Sequence, residues 1–293
     1  MTAKRVLILG AQGQLGIELQ KAFDGVGDVV ALGRQSCDLA NLESILKVMT
    51  EVNPAIVLNA AAYTAVDRAE SEPELAMRVN GEAPGVLAVE ASRIGALLVH
   101  YSTDYVFDGS KKTPWVEDDP VNPLNEYGRT KLAGEQKIAE AGGRYLIFRT
   151  SWVYSPHGNN FLRTMLRLGR EREQLRVVKD QIGAPTTASA LARATRSIVD
   201  AGVQSVDSGI YHMTCSGQTS WCGFAQEIFR RARAPHNKSW PTVTGIPDAE
   251  YPTLAKRPKN SVLSNAKLKG RFGVSLPRWE DALDETLEAM AAD

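Results

Sequence analysis

From its start to about residue 150 the chain alternates two hydrophobic patterns. Short, mainly apolar runs at 6–9, 28–32, 55–59, 96–101 and 145–149 read as strands buried on both faces. Between them lie stretches with apolar residues three and four apart, the repeat of a helix with one buried side. Gln14–Phe23 brings Leu15, Leu19 and Ala22 together. Asn41–Val52 brings Leu42, Ile45, Leu46 and Met49 together, with Asn41 placed as an N-cap. Glu74–Arg93 predicts one long helix and Tyr127–Ala141 another. Strands separated by helices of this length are parallel βαβ units. The expected fold class is therefore α/β, a Rossmann-type doubly wound parallel sheet with helices on both faces.

After Thr150 the rhythm changes. The segment 152–160 reads as a loop, 161–170 as a helix and 211–214 as a strand. Prolines at 235, 241, 247, 252 and 258 are too dense for regular layering. The expected division is a dinucleotide-binding domain over 1–153, joined by about 178–212. A smaller C-terminal substrate-binding lobe would comprise 154–177 and 213–293.

Charge and cysteine content narrow the function classes. The 293 residues hold 34 Lys plus Arg against 34 Asp plus Glu, so the formal net charge is zero. A general binder of nucleic acid or of membrane surfaces would carry a basic excess, and neither partner is expected. Cys37, Cys215 and Cys222 make no disulfide framework and fit a reducing compartment. The apolar run near the start, Val6–Leu9, is too short for a signal segment or a membrane span, so a cytoplasmic location is expected.

The first strand runs into Gly10-Ala11-Gln12-Gly13-Gln14-Leu15-Gly16. Small residues let the backbone approach a pyrophosphate, and the helix that follows points free N–H groups at it. Past the second strand stands Gly33-Arg34, with no acid before Asp38. An arginine there accommodates a 2′-phosphate, so NADPH is expected and NADH is left open. Ser102, Thr103 and Asp104 follow the fourth strand, where a doubly wound sheet opens its ligand crevice. Tyr127 and Lys131 are four apart and share one helix face. A fixed ammonium, with an oxidised nicotinamide, favours phenolate, and such a tyrosine can exchange a proton with a developing alkoxide. Thr103 can donate a hydrogen bond to the same oxygen.

These and other stretches together resemble the extended short-chain dehydrogenase/reductase superfamily, and within it the reductases of nucleotide-linked 4-keto sugars. The resemblance runs through GAQGQLG (10–16), CDL (37–39), NAAAYTAVDRAE (59–70), VN (79–80), STDYVFDG (102–109), YGRTK (127–131), RTSWVY (149–154), DQIGAPT (180–186) and KRPKNSVL (256–263). It implies Thr103, Tyr127 and Lys131 as catalytic residues. It implies Asp38 and Leu39 at the adenine end of the cofactor, and Ala60, Ala61, Ala62 and Tyr63 along its channel. Thr64, Val66, Asp104, Tyr105 and Trp152 would surround a nucleotide-sugar substrate, with Arg257 on its diphosphate. The implied reaction is NADPH-dependent reduction of the C4 ketone of dTDP-4-dehydro-6-deoxy-L-mannose to dTDP-L-rhamnose. The alternatives are a non-catalytic homologue of the methionine adenosyltransferase β-subunit type, or a reductase or epimerase of another nucleotide-linked keto sugar. Related dehydratases carry Asp-Glu after the threonine; here Asp104-Tyr105 stands instead, which disfavours dehydration.

Some relatives hold Mg²⁺ through glutamates at a dimer interface. Glu18 is the one candidate ligand, but Thr187-Ala188-Ser189 stands where those members carry an acid. That speaks against Mg²⁺ and against that mode of dimerisation; monomer or homodimer is left open. His212, Cys215 and Cys222 match no zinc spacing. Trp240 and Trp279 are expected in the core, and the 267–271 charge cluster on a solvated face.

Overall fold

In the computed structural model, which describes residues 5–234 and 239–292, the apolar runs become neighbouring strands. They are β1 (Arg5–Leu9), β2 (Asp28–Leu32), β3 (Ile56–Asn59), β4 (Leu97–Thr103) and β5 (Arg144–Thr150). Their helices are α1 (Gln14–Ala22), α2 (Leu42–Val52), the short α3 (Val66–Ala69) and α4 (Pro73–Met77), then α5 (Ala83–Arg93) and α6 (Glu126–Ala141). The C-terminal half adds β6 (Val153–Tyr154), α7 (Phe161–Glu171), β7 (Gln174–Val178), β8 (Ile182–Gly183), β9 (Thr186–Thr187) and α8 (Ala188–Ala201). It continues with β10 (Gly209–His212), β11 (Thr219–Ser220), α9 (Trp221–Arg231), β12 (Thr242–Ile246), α10 (Ala266–Phe272) and α11 (Trp279–Ala292). The central sheet is parallel throughout, in the order β10-β5-β4-β3-β1-β2.

Successive strand residues point to opposite faces, and both faces are covered. Val6, Ile8, Leu58 and Val99 share one core with Leu15 and Leu19 of α1 and Leu191 and Ile198 of α8. Leu7, Leu9, Val57 and Leu98 share the other with Ile45 and Met49 of α2, Leu87 of α5 and Ile138 of α6. Each such side chain contributes roughly 1.5–3 kcal/mol on burial. Leu46, expected in the apolar face of α2, is instead 43% exposed. Ile45, Val48 and Met49 already fill that contact, and Leu46 lies further round the helix.

The predicted single helix over 74–93 is broken. The backbone widens to a π-turn at Arg78–Glu82 between α4 and α5. Pro84 has no N–H to give the Asn80 carbonyl, so the regular ladder cannot pass. That carbonyl faces α6 instead: a Cβ at Gly134 would lie 2.2 Å from it.

The C-terminal half builds three small pairings: β7 with β12, β8 with β11, and β6 with β9. The stretch expected as loop after Trp152 thus contains a short strand. The strand expected over 211–214 runs over 209–212 and completes the main sheet beside β5. Trp279 is buried, and Trp240 packs on Phe229 with ring centroids 5.1 Å apart. Pro235 lies outside the described residues. The 267–271 cluster is not simply solvated. Arg271 reaches the buried carboxylate of Asp207, and Lys267 Nζ stands 5.1 Å from the Tyr211 ring.

Candidate active site

The glycine loop is shaped by close approach. Gly10 has φ +82°, its N–H donates to Leu32 O at 3.0 Å, and a Cβ there would lie 2.8 Å from Ala61 N. A Cβ at Gly16 would sit 2.0 Å from Gly10 O, so α1 packs on the loop only because residue 16 has no side chain. Gly13 caps α1 without a side-chain bond, leaving its first N–H groups open. This is a cradle fitted to a pyrophosphate.

The loop opens into a cleft of ≈ 550 Å³. The cleft gathers Gly10, Gln12, Gly13, Gln14, Leu15, Arg34, Asp38, Leu39, Ala60, Ala61, Ala62, Tyr63 and Thr64 along its length. Tyr127 and Lys131 form its far end, with Ser102. Arg34 is exposed, its Nε 3.7 Å from Asp38 Oδ1, which leaves most of its donors open. Cys37, Val79 and Val153, which stand in the resembling stretches without an assigned role, also line the cleft, as do Gly158 and Asn159.

Thr103 ends β4 and caps the turn that follows. Its Oγ1 accepts from Tyr105 N–H at 3.1 Å and donates to Asp104 Oδ1 at 3.1 Å. Tyr127 stands in the first turn of α6, whose N-cap is Asn125: the Asn125 side chain accepts from Gly128 N–H at 2.8 Å. Asn125 Nδ2 also donates to Lys256 O at 2.7 Å, tying the helix start to the C-terminal segment. The Tyr105 ring meets Tyr127 edge-on, 5.7 Å between centroids.

Burial dominates the electrostatics of the tyrosine. It pushes the Tyr127 phenol up to about 12, opposed by a hydrogen bond with Thr103 and assisted by the Asp104 charge. It is the protonated phenol that a proton donor in ketone reduction requires. Lys131 is 1% exposed, and burial lowers its ammonium to about 8 against the raising influence of Glu135. Its Nζ lies 2.6 Å from Tyr101 O and 3.0 Å from His100 Nε2. Burial also raises Asp104 to about 7, against hydrogen bonds from Ser261 and Thr103, and its Oδ2 has no partner.

Val66, Thr103, Asp104, Tyr105, Trp152 and Arg257 do not line that cleft. Val66 opens α3, and its neighbour Asp67 accepts from Arg257 at 2.8 Å. Arg257 also bonds the Tyr105 hydroxyl and borders a second cavity of ≈ 570 Å³, with Tyr251, Lys256 and Lys259. Trp152 has φ +49° and is stacked on Trp221 at 3.5 Å, 7° from parallel. Three asparagines without a predicted role hold the site: Asn59, Asn125 and Asn80. Asn80 is wholly buried in the π-turn. It accepts from Tyr63 N–H at 2.8 Å and donates to Tyr63 O at 3.0 Å and Thr130 Oγ1 at 3.2 Å. It so links the cofactor loop to the Tyr127 helix. The only hint was the VN stretch itself, because such roles depend on folded proximity.

A divalent cation does not suit the Glu18 region. Glu18 accepts from Lys21 Nζ at 2.9 Å, and Thr187 spends its hydroxyl capping Ala190 N–H. Among the described residues no group of three His, Cys, Asp or Glu side chains is placed to hold a metal. His212 Nδ1 lies 3.2 Å from Trp115 O instead.

A parallel sheet with a glycine loop after its first strand, and Thr103, Tyr127 and Lys131 at the end of β4 and in α6, is the arrangement of an extended short-chain dehydrogenase/reductase. The chain belongs, more narrowly, to the family described as RmlD substrate binding domain, whose model matches residues 4–292. It is 49% identical to the dTDP-4-dehydrorhamnose reductase of Burkholderia thailandensis, covering 95% of this chain and 96% of that protein. Among solved structures, the dTDP-4-dehydrorhamnose reductase of Clostridium acetobutylicum is 41% identical at a TM-score of 0.91, covering 98% of this chain and 99% of that one. That of Bacillus anthracis, in complex with NADP, is 36% identical at the same TM-score and the same coverage.

Proposed function

We propose that this protein reduces the C4 ketone of dTDP-4-dehydro-6-deoxy-L-mannose to dTDP-L-rhamnose with NADPH. The observation that carries the reading is the single cleft joining the glycine loop to Tyr127 and Lys131. Bound NADPH supplies a hydride to the ketone carbon. Tyr127, kept protonated by burial, gives its proton to the oxygen as charge develops there. The Thr103 hydroxyl, whose proton points to Asp104 Oδ1, turns it to the same oxygen. Lys131 holds the ribose hydroxyls, and Arg34 takes the 2′-phosphate that distinguishes NADPH from NADH. Gln12, Gly13, Gln14 and Leu15 take the pyrophosphate, Asp38 and Leu39 the adenine end, and 60–63 the channel between.

Thr64, Val66, Asp104, Tyr105 and Trp152 surround the sugar nucleotide. Its diphosphate lies by Arg257, beside Lys256 and Lys259 at the second cavity. Residues 1–153 with about 178–212 serve the cofactor, and 154–177 with 213–293 the substrate. Three buried free cysteines support a reducing, cytoplasmic setting. Among the described residues no helix is long and apolar enough to cross a membrane. The product is a precursor for cell-surface polysaccharide.

The test is turnover of NADPH with the keto sugar, followed by absorbance. Tyr127→Phe should cut kcat by about 10²–10⁴-fold while KM changes little. Near-normal turnover in that variant would overturn the mechanism. No NADPH consumption by the wild type would favour the non-catalytic alternative, against which the intact Thr103, Tyr127 and Lys131 speak.

A further inference from the structure

Behind Lys131 lies a buried line of three polar side chains drawn from β3, β4 and α6. Asn59 Nδ2 is 3.0 Å from His100 Nδ1, and His100 Nε2 is 3.0 Å from Lys131 Nζ. All three residues are at most 1% exposed. Asn59 Oδ1 accepts from the Ala61 backbone N–H at 3.3 Å, and Lys131 also donates to Tyr101 O at 2.6 Å. The other titratable and charged groups nearby are Tyr127 and Glu135 on α6, the latter paired to Arg149 of β5.

Donor counting makes this line a conflict. Burial and the lysine charge hold His100 well below its ordinary value, so the imidazole is neutral, with one donor and one acceptor. An amide donating to Nδ1 and an ammonium donating to Nε2 cannot both be satisfied. In the orientation found, Asn59 donates to Nδ1, so Nε2 carries the proton and faces Nζ, where only an uncharged amine offers a lone pair. For Lys131 to be an ammonium, Nε2 must accept and Nδ1 must carry the proton. Asn59 must then turn its oxygen to His100, and Ala61 N–H loses its acceptor. Ala61 lines the cofactor cleft.

We propose that His100 is a positioning residue that ties the charge of Lys131 to the orientation of the Asn59 amide, and through it to the Ala61 backbone in the cofactor cleft. Its kinetic consequence rests on Lys131 serving the reaction, as read above; the coupling itself stands on the geometry.

The experiment has two arms. Long-range ¹H–¹⁵N spectra of the wild-type chain, with His100 assigned among the four histidines by His100→Gln, report which ring nitrogen holds the proton. Taken across the pH range around the lysine's value of about 8, they should show a change from the Nδ1–H to the Nε2–H tautomer in one step. A single tautomer throughout would refute the coupling. In the second arm, the alkaline limb of kcat is measured in Asn59→Asp, whose carboxylate only accepts. The limb should rise by about one pH unit or more, and by less than half as much when His100→Leu is also present. Equal rises in both backgrounds mean the carboxylate acts through space, which also refutes the proposal. If the tautomer switches but the kcat limb does not follow it, the coupling holds and the catalytic reading of Lys131 fails.

Discussion

Glu135→Gln tests how the catalytic helix is anchored. Glu135 is buried and receives Arg149 through three hydrogen bonds, from Nη2 at 2.7 Å and from Nε to its two oxygens at 3.0 and 3.2 Å, while Ser102 Oγ donates at 2.5 Å. Arg149 itself is 2% exposed and lies 5.1 Å over the Phe107 ring. Glutamine keeps the shape but removes the charge, leaving a guanidinium with no counterion in the interior. Losing one partner of such a pair costs about 3–5 kcal/mol, because the remaining charge stays desolvated. A chain of this size loses roughly 2 °C in Tm per kcal/mol, so the expected drop is roughly 6–10 °C by calorimetry. Adding Arg149→Met should restore much of it, since the stranded charge is then gone. A second readout separates anchoring from chemistry. Glu135 supports the ammonium of Lys131, so its loss moves the alkaline limb of kcat to lower pH. A stability loss under about 1 kcal/mol, or a limb that stays in place, would refute the reasoning.

Other outcomes follow from the same geometry. Arg34→Ala should raise KM for NADPH about tenfold and leave NADH kinetics unchanged, since a hydrogen bond to a charged group contributes about 1.5 kcal/mol or more; equal changes with both cofactors would refute the 2′-phosphate role. Asp104 has a folded value raised to about 7, so its contribution is intact below the ordinary carboxylate range and lost as pH rises towards 7. Asp104→Asn should therefore stabilise the chain by a few kcal/mol at neutral pH and hardly at all at about pH 4, read from urea melts at the two pH values. Treatment with EDTA should leave turnover unchanged, because Glu18 is already neutralised by Lys21; loss of activity restored only by Mg²⁺ would contradict this.

Most of the sheet was legible because it depends on local pattern. Positions 6–9, 55–58 and 96–99 are apolar at consecutive positions, and each element between them carries a helical repeat. The glycine loop and the Tyr127–Lys131 spacing were readable for the same reason: their chemistry needs fixed sequence intervals. What escaped depends on distant partners. The break near Asn80 arises from Pro84 acting on a carbonyl that Gly134 allows to turn away. Arg271 was assigned to solvent because nothing near it announces Asp207, which lies far off in sequence. The burial that raises the Tyr127 phenol is set by the whole fold, and the Tyr127–Lys131 spacing does not announce it. The site residues without a predicted role, Asn59, Asn80 and Asn125, are polar side chains whose value appears only when two elements are brought together.

The π-turn at Arg78–Glu82 has a consequence for how this chain can change. A π-turn is a helix carrying one residue too many. Removing one residue there would not restore the hydrogen-bond ladder, because Pro84 still has no N–H to give and its ring would meet the carbonyl four residues before it. The strain would fall on the start of α5, whose Ala83, Leu87 and Ala91 fill the core. Asn80 would lose its reach to Tyr63 and Thr130. The surplus residue is therefore locked in from both sides. Single-residue deletions across 78–82 should be among the least tolerated in the chain, while the exposed turn at Gly25, where a side chain would meet nothing within 4 Å, should accept length changes readily.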